Sequence, residues 1–306
     1  MTPLQQAASD YLRLRRSVGY KLPDADRCLC DLVASVESRG ETTITTAAAL
    51  AWAEAGSTAG VVSRRVGIAR AFAKYLTAVD PATEVPPEGI VPPRLRRRPP
   101  YLFSETQVAA LMGAAGSLRP PLRAATCETV IGLLWATGVR IGEVCRLEVG
   151  DVDIEGRTLS VWFTKFGKSR LVPVTDSVAD ALAGYAERRQ TLCPRPRCTR
   201  FFVTSTGNPL TPNTFRAAFS RLLADVGLPS TPVGHPPRVH DVRHSFAVDT
   251  LIGWYRAGED VQALLPRLST YMGHVGPQAT FWYLSAAPEL MALAADRLEH
   301  GRGVNP

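Results

Sequence analysis

Between Pro81 and Pro100 the sequence reads PATEVPPEGIVPPRLRRRPP, seven prolines in twenty residues with a basic cluster near the end. Each proline fixes φ and removes a backbone N–H, so neither a regular helix nor an interior strand can run through the segment. It reads as an extended connector that divides the chain into residues 1–80 and 101–306. A length of 306 residues suits two domains. The guanidinium groups of Arg94, Arg96, Arg97 and Arg98 are candidates for contact with a phosphate backbone; a solvated linker is the plainer reading.

The first part is expected to be a small helical bundle. One helix is read over Gln5 to Val18 and a second over Asp24 to Arg39, where Leu29, Leu32, Val33 and Val36 recur at helical spacing. Ser57 and Thr58 are placed to cap another, carrying Val62, Val66, Ala69, Phe72 and Leu76. Off its apolar stripe lie Arg64, Arg65, Arg70 and Lys74, a candidate DNA-binding face. After the connector, Ser104 starts a helix, a strongly apolar helix covers Leu122 to Ala136, and a short one resumes at Arg140 to Leu147. The apolar period then changes from helical to alternating, at Leu159, Val161 and Phe163 and again at Val172 and Val174. That pattern predicts a hairpin or three-strand meander with Pro173 on an edge strand. Helices return from Asp176 onward. The fold class is therefore mainly α with a small antiparallel β-sheet, α+β.

A formal net charge of +7 favours an anionic partner such as nucleic acid. Only four of the 35 basic residues are lysines, Lys21, Lys74, Lys165 and Lys168, so two lysines three apart in one turn stand out. No apolar run reaches eighteen residues and the N-terminus lacks the order of a signal peptide; a cytoplasmic protein without a membrane span is expected. The six cysteines form no paired CxxC framework. Cys193 and Cys198 read as free thiols on a loop rather than half of a zinc site.

Four short segments carry the candidate chemistry: ATGVRIGEV with Arg140, TKFGKSRLVPV with Lys165, HDVRHSFA with His240 and Arg243, and YMGHVGPQATFWY with His274 and Tyr283. Singly each has an ordinary explanation. An arginine can pair with a carboxylate such as Glu143, a hairpin lysine is usually solvated, and Tyr283 can be a core aromatic. His240 and His244 are four apart and could ligate zinc, but Arg243 between them makes a cation unwelcome there. Asp241 reads as a helix N-terminal acid that steadies Arg243 or the helix dipole, and His244 as a residue that packs or supports the site from behind.

Taken together and in this order, the segments resemble the tyrosine recombinases, or phage-type integrases, and among them the Xer-like group. The resemblance spans nearly the whole chain. It implies a helical core-binding, DNA-binding domain over residues 1–80 and a catalytic domain over 101–306. Arg140, Lys165, His240, Arg243 and His274 would assist the nucleophile Tyr283; Tyr271, which precedes the Gly-His element, is the rejected rival. Pro266 departs from the Xer pattern and looks more like transposon-borne integrases. The C-terminal amphipathic run from Ala286 to His300 would dock on a neighbouring protomer, giving a homotetramer on double-stranded DNA recombination sites.

The residue types suit such chemistry. Attack on a phosphodiester builds negative charge on non-bridging oxygens, and fixed guanidinium groups oppose it. A phenol that attacks phosphorus keeps the bond energy in a 3′-phosphotyrosyl ester, so the strand can be rejoined without ATP. A base such as His240 would ease deprotonation of Tyr283, and Lys165 can protonate the leaving 5′ oxygen. No metal or other cofactor is expected. A type IB topoisomerase-like activity, a catalytically silent DNA-binding protein and a metal-dependent nuclease are the alternatives.

Overall fold

A computed structural model describes residues 1–20, 22, 25–90, 99–162, 169–230, 234–274, 283 and 290–292. The chain separates into two compact units, Met1–Arg98 and Pro99–Pro306.

The first unit is helical: α1 (Pro3–Ser17), α2 (Ala25–Glu37), α3 (Thr46–Glu54) and α4 (Ala59–Leu76). The side chains of Thr2, Thr45 and Thr58 each accept from a backbone N–H in the first turn of α1, α3 and α4, satisfying donors that have no partner within the helix. Leu29, Leu32, Val33 and Val36 share one core with Ala49, Trp52, Val66 and Phe72. Helix α3 has no counterpart in the sequence reading. Its TAAALAWAE run is apolar nearly all round, so it offers no stripe; alanine propensity and the Thr45 cap make it helical.

The second unit opens with α5 (Glu105–Gly116) and the buried α6 (Pro121–Thr137), followed by the one-turn α7 (Ile141–Val144). Helix α7 is shorter than the expected span to Leu147, and Arg140 is its N-cap rather than its first turn. Strands β1 (Val152–Asp153), β2 (Thr158–Val161) and β3 (Arg170–Pro173) form an antiparallel sheet in that order, with Ser160 opposite Leu171 and Val161 opposite Arg170. Pro173 lies on the edge strand, as its missing donor requires. Four helices complete the described elements: α8 (Asp176–Leu192), α9 (Pro212–Val226), α10 (Val239–Arg256) and α11 (Val261–Met272). Helix α11 runs through Pro266. The main core joins α5, α6, the sheet, α8 and α9, while a smaller cluster packs Val248 and Leu251 of α10 on Leu265, Leu268 and Met272 of α11 together with Tyr283 and Leu290. Among the described residues no helix is long and apolar enough to cross a membrane.

The turn from α6 to α7 places Arg140. Gly138 ends α6 with φ of +59°, a left-handed conformation that favours glycine. A Cβ there would lie 2.3 Å from the Phe246 ring, so α10 packs directly onto the turn. Gly138→Ala is expected to destabilise the second unit by about 2–5 kcal/mol, combining left-handed strain with overpacking. Chemical denaturation checks this; an unchanged midpoint would mean that the turn is not held against Phe246.

Candidate active site

The end of helix α11 organises the site. Its last carbonyls, like those of any helix, lack partners within the helix and carry the negative end of the helix dipole. Three arginines from three other elements meet three successive carbonyls there. Arg170 donates through Nε to Tyr271 O at 2.8 Å, Arg243 through Nη2 to Met272 O at 2.6 Å, and Arg140 through Nη2 to Gly273 O at 3.0 Å. Arg243 also donates from Nη1 to Gly138 O at 2.6 Å, tying α10 to the turn that precedes Arg140.

One carboxylate serves two of these cations. Glu143 is 3 % exposed; its Oε1 accepts from Arg140 Nη1 at 2.9 Å and its Oε2 from the Arg140 backbone N–H at 3.0 Å. Arg170 grips the same two oxygens, Nη2 to Oε2 at 2.9 Å and Nη1 to Oε1 at 3.3 Å. Burial alone would raise the Glu143 pKa, but the hydrogen bonds and charge of Arg170, with those of Arg140, bring it down to about 2. Arg243 is 2 % exposed. Burial, and then the neighbouring Arg140, lower its pKa to about 10, which leaves it charged at neutral pH.

Three histidines line the same place. Helix α10 presents His240 and, one turn on, His244, with ring centroids 4.6 Å apart and edge to face. Burial first, and then the positive fields of His244 and Arg243, lower the His240 pKa to about 3, although its outer side keeps access to solvent. His274, just past the end of α11, is lowered to about 4 by burial and by Arg243 and Arg140. Both rings are therefore neutral at physiological pH. Tyr283 is 2 % exposed, with its ring stacked 6.1 Å from that of His274. Its hydroxyl lies 3.2 Å from Nδ1 of His244.

These shifts set an acid dependence. His240 and His274 have folded pKa values below the ordinary 6.5, so the unfolded chain binds more protons and stability is lost as pH falls below that value. Glu143, depressed from 4.5 to about 2, contributes stability above its ordinary value that disappears on further acidification. The melting temperature of the protein is expected to fall steadily from about pH 7 to about pH 4. A flat or rising melting temperature over that range, read by calorimetry, would contradict neutral imidazoles packed among arginines.

Arg140, His240, Arg243, His274 and Tyr283 thus converge. Lys165 lies outside the described residues, as do Arg96, Arg97 and Arg98. The rejected Tyr271 has a packing role: its ring stacks on Phe246 at 5.8 Å, and burial raises its pKa. Asp241 pairs with Arg238 at 3.0 Å and caps α10. From the sequence His240 is expected as a base for Tyr283; the Tyr283 hydroxyl lies against Nδ1 of His244, one turn along α10. Arg170 carries no expectation from the sequence. The signal was present: alternation along β3 puts Arg170 on the same face as buried Val172, while Leu171 between them is 64 % exposed. An arginine in an inward register calls for a buried acid.

On α4, Arg64 and Lys74 are exposed, and Lys74 stands 4.0 Å from Glu88. Arg65 donates to Trp52 O at 2.8 Å and reaches Asp31 at 3.3 Å. Arg70 donates to Pro86 O and Pro87 O at 2.7 and 2.6 Å, fastening the start of the proline-rich connector to α4. Cys193 and Cys198 are free thiols, and among the described residues no cluster of three metal-ligating side chains occurs.

The phage integrase family model matches residues 102–289. A protein of Sinorhizobium fredii named as an integrase/recombinase is 40 % identical over 98 % of this chain and 98 % of its own length. Tyrosine recombinase XerC of Roseiflexus castenholzii is 31 % identical over 72 % of this chain and 67 % of its own. Among solved structures, the Tn1549 transposon integrase in complex with transposon right end DNA superposes with a TM-score of 0.69 at 19 % identity, covering 98 % of this chain and 100 % of that one. That likeness extends the agreement to the fold of both units.

Proposed function

We propose that this chain, which belongs to the phage integrase family and so is a site-specific DNA recombinase of the tyrosine type, cuts and rejoins DNA through a covalent bond to Tyr283. The observation that carries this reading is the meeting of Arg140 and Arg243 on adjacent carbonyls of α11, beside the turn leading to His274, with the Tyr283 hydroxyl held at the neighbouring His244.

The Tyr283 hydroxyl gives its proton to an imidazole of α10, His240 or the adjoining His244; the phenolate attacks phosphorus, and the bond from phosphorus to the 5′ oxygen breaks. The electron pair leaves with that oxygen, which takes a proton from Lys165, and a 3′-phosphotyrosyl ester remains. Attack by a 5′ hydroxyl from either strand reverses these events, so no ATP is consumed. Charge growing on the non-bridging oxygens is opposed by Arg140 and Arg243, with an N–H of His274 as a further donor. Guanidinium and imidazole groups supply the electrostatic stabilisation that a metal ion gives in other phosphoryl transfers, and the reaction is expected to proceed unchanged in EDTA.

Double-stranded DNA is the substrate. The exposed cations of α4, Arg64 and Lys74, together with Arg96, Arg97 and Arg98 of the connector, are the proposed phosphate contacts of the first unit; Arg65 and Arg70 would add to them by releasing their internal partners. The segment from Ala286 to His300 would join protomers into a tetramer holding two duplexes, in the cytoplasm. The test is a reaction on paired copies of the protein's own attachment site, mapped by sequencing covalently bound DNA. Recombinant products are expected; relaxed circles without exchange would instead show a topoisomerase-like enzyme.

A further inference from the structure

We propose that Arg170, which nothing in the proposed mechanism uses, is a positioning residue that aims Arg140 at the scissile phosphate. The inference rests on the reading of Arg140 as a phosphate-binding group.

Arg140 and Arg170 differ in what remains available to a substrate. The Arg140 side chain is 31 % exposed, so part of its fork faces solvent where a phosphate would arrive. The Arg170 side chain is 11 % exposed, and its Nε, Nη1 and Nη2 all donate inside the protein, one to Tyr271 O and two to Glu143. With three of its five N–H donors so engaged, Arg170 holds the group that holds Arg140. Glu143 accepts from both the side chain and the backbone N–H of Arg140. Without Arg170 that carboxylate would lose the planar, two-pronged contact that fixes its rotation.

Electrostatics make such a brace necessary. Arg140, Arg170 and Arg243 are like charges around a single carboxylate, and each lowers the others' preference for this place. Three successive carbonyls at the negative end of α11 offset part of that repulsion without a second acid that would also repel the phosphate. Gly273 provides the room: a Cβ there would stand 2.8 Å from Arg170 Nη1. The three donors of Arg170 serve two acceptors from one plane, the Glu143 carboxylate through a fork and Tyr271 O through Nε, a geometry that the single ammonium of lysine cannot reproduce.

The test is single-turnover cleavage of a nicked suicide duplex carrying the attachment site. Arg170→Lys keeps the charge, and Arg170→Met keeps the stem's packing should the first fold poorly. Either is expected to cleave about 10²-fold more slowly, the loss associated with misplacing a catalytic group by about 1 Å, with DNA affinity in a gel-shift assay little changed. A merely structural role would not produce the decisive result. In a double-variant cycle with Arg140→Ala, the Arg170 substitution should add almost no further loss, because its effect passes through Arg140. Full activity in Arg170→Lys, or losses that multiply in the double variant, would overturn the proposal. Undiminished cleavage by Arg140→Ala alone would instead remove the proposed phosphate clamp, a failure of the function reading that the same experiment separates from this one.

Discussion

Tyr283→Phe is expected to abolish the denaturant-resistant DNA adduct while leaving the protein folded and able to bind its site. Phenylalanine keeps the buried ring and removes only the hydroxyl that touches His244, so the stability change should be about 1 kcal/mol, the worth of one hydrogen bond. Cleavage should fall roughly 10⁴-fold or more, since removing a nucleophile leaves only background hydrolysis. The contrast between those two magnitudes is the informative part. A packing role for Tyr283 predicts the adduct retained, because phenylalanine keeps the ring that packs. Were the adduct to persist, Tyr271 is the nearest rival in sequence, but its hydroxyl points at Pro173 O, 3.4 Å away, and its ring is stacked on Phe246. Mass spectrometry of the trapped peptide decides between them.

Arg243→Lys is the second large effect. The native guanidinium donates to Gly138 O and Met272 O in different directions, both at 2.6 Å, and a lysine ammonium on its stem cannot meet both and still face a phosphate. Burial already lowers the Arg243 pKa to about 10. The same burial acting on an ammonium of lower intrinsic pKa would push it toward the neutral form. Cleavage is expected to fall about 10²–10³-fold, the range for losing one preorganised donor to a developing oxyanion. A lower melting temperature should accompany it, because one of the two carbonyls would be left buried without a partner. Cleavage at the native rate would show that Arg243 is a strut between α6 and α11 rather than part of the phosphate site.

The order of Arg140, Lys165, His240, Arg243, His274 and Tyr283 in the sequence carried the resemblance to the tyrosine recombinases that the family match bears out, and the residue types suit the proposed chemistry whatever the fold: a fork for a phosphate oxygen, a phenol for a storable ester. Binary patterning likewise marked the apolar α6, the change of period at β2 and β3, and Pro173 at a sheet edge, all of which follow from forces acting within a few residues. Helix α3 escaped because a run of apolar residues on nearly every side has no polar face to reveal its period. Contacts between elements far apart in the chain were the tertiary structure's to decide. Nothing local distinguishes His240 from His244, one helical turn away, as the imidazole against Tyr283; how α10 packs on α11 makes that choice. Arg170 belongs to the site only because β3 turns it inward onto Glu143 of α7 and the end of α11. Side-chain identity sets which chemistry is possible, and the convergence of the α6–α7 turn, β3, α10 and α11 selects the atoms that meet.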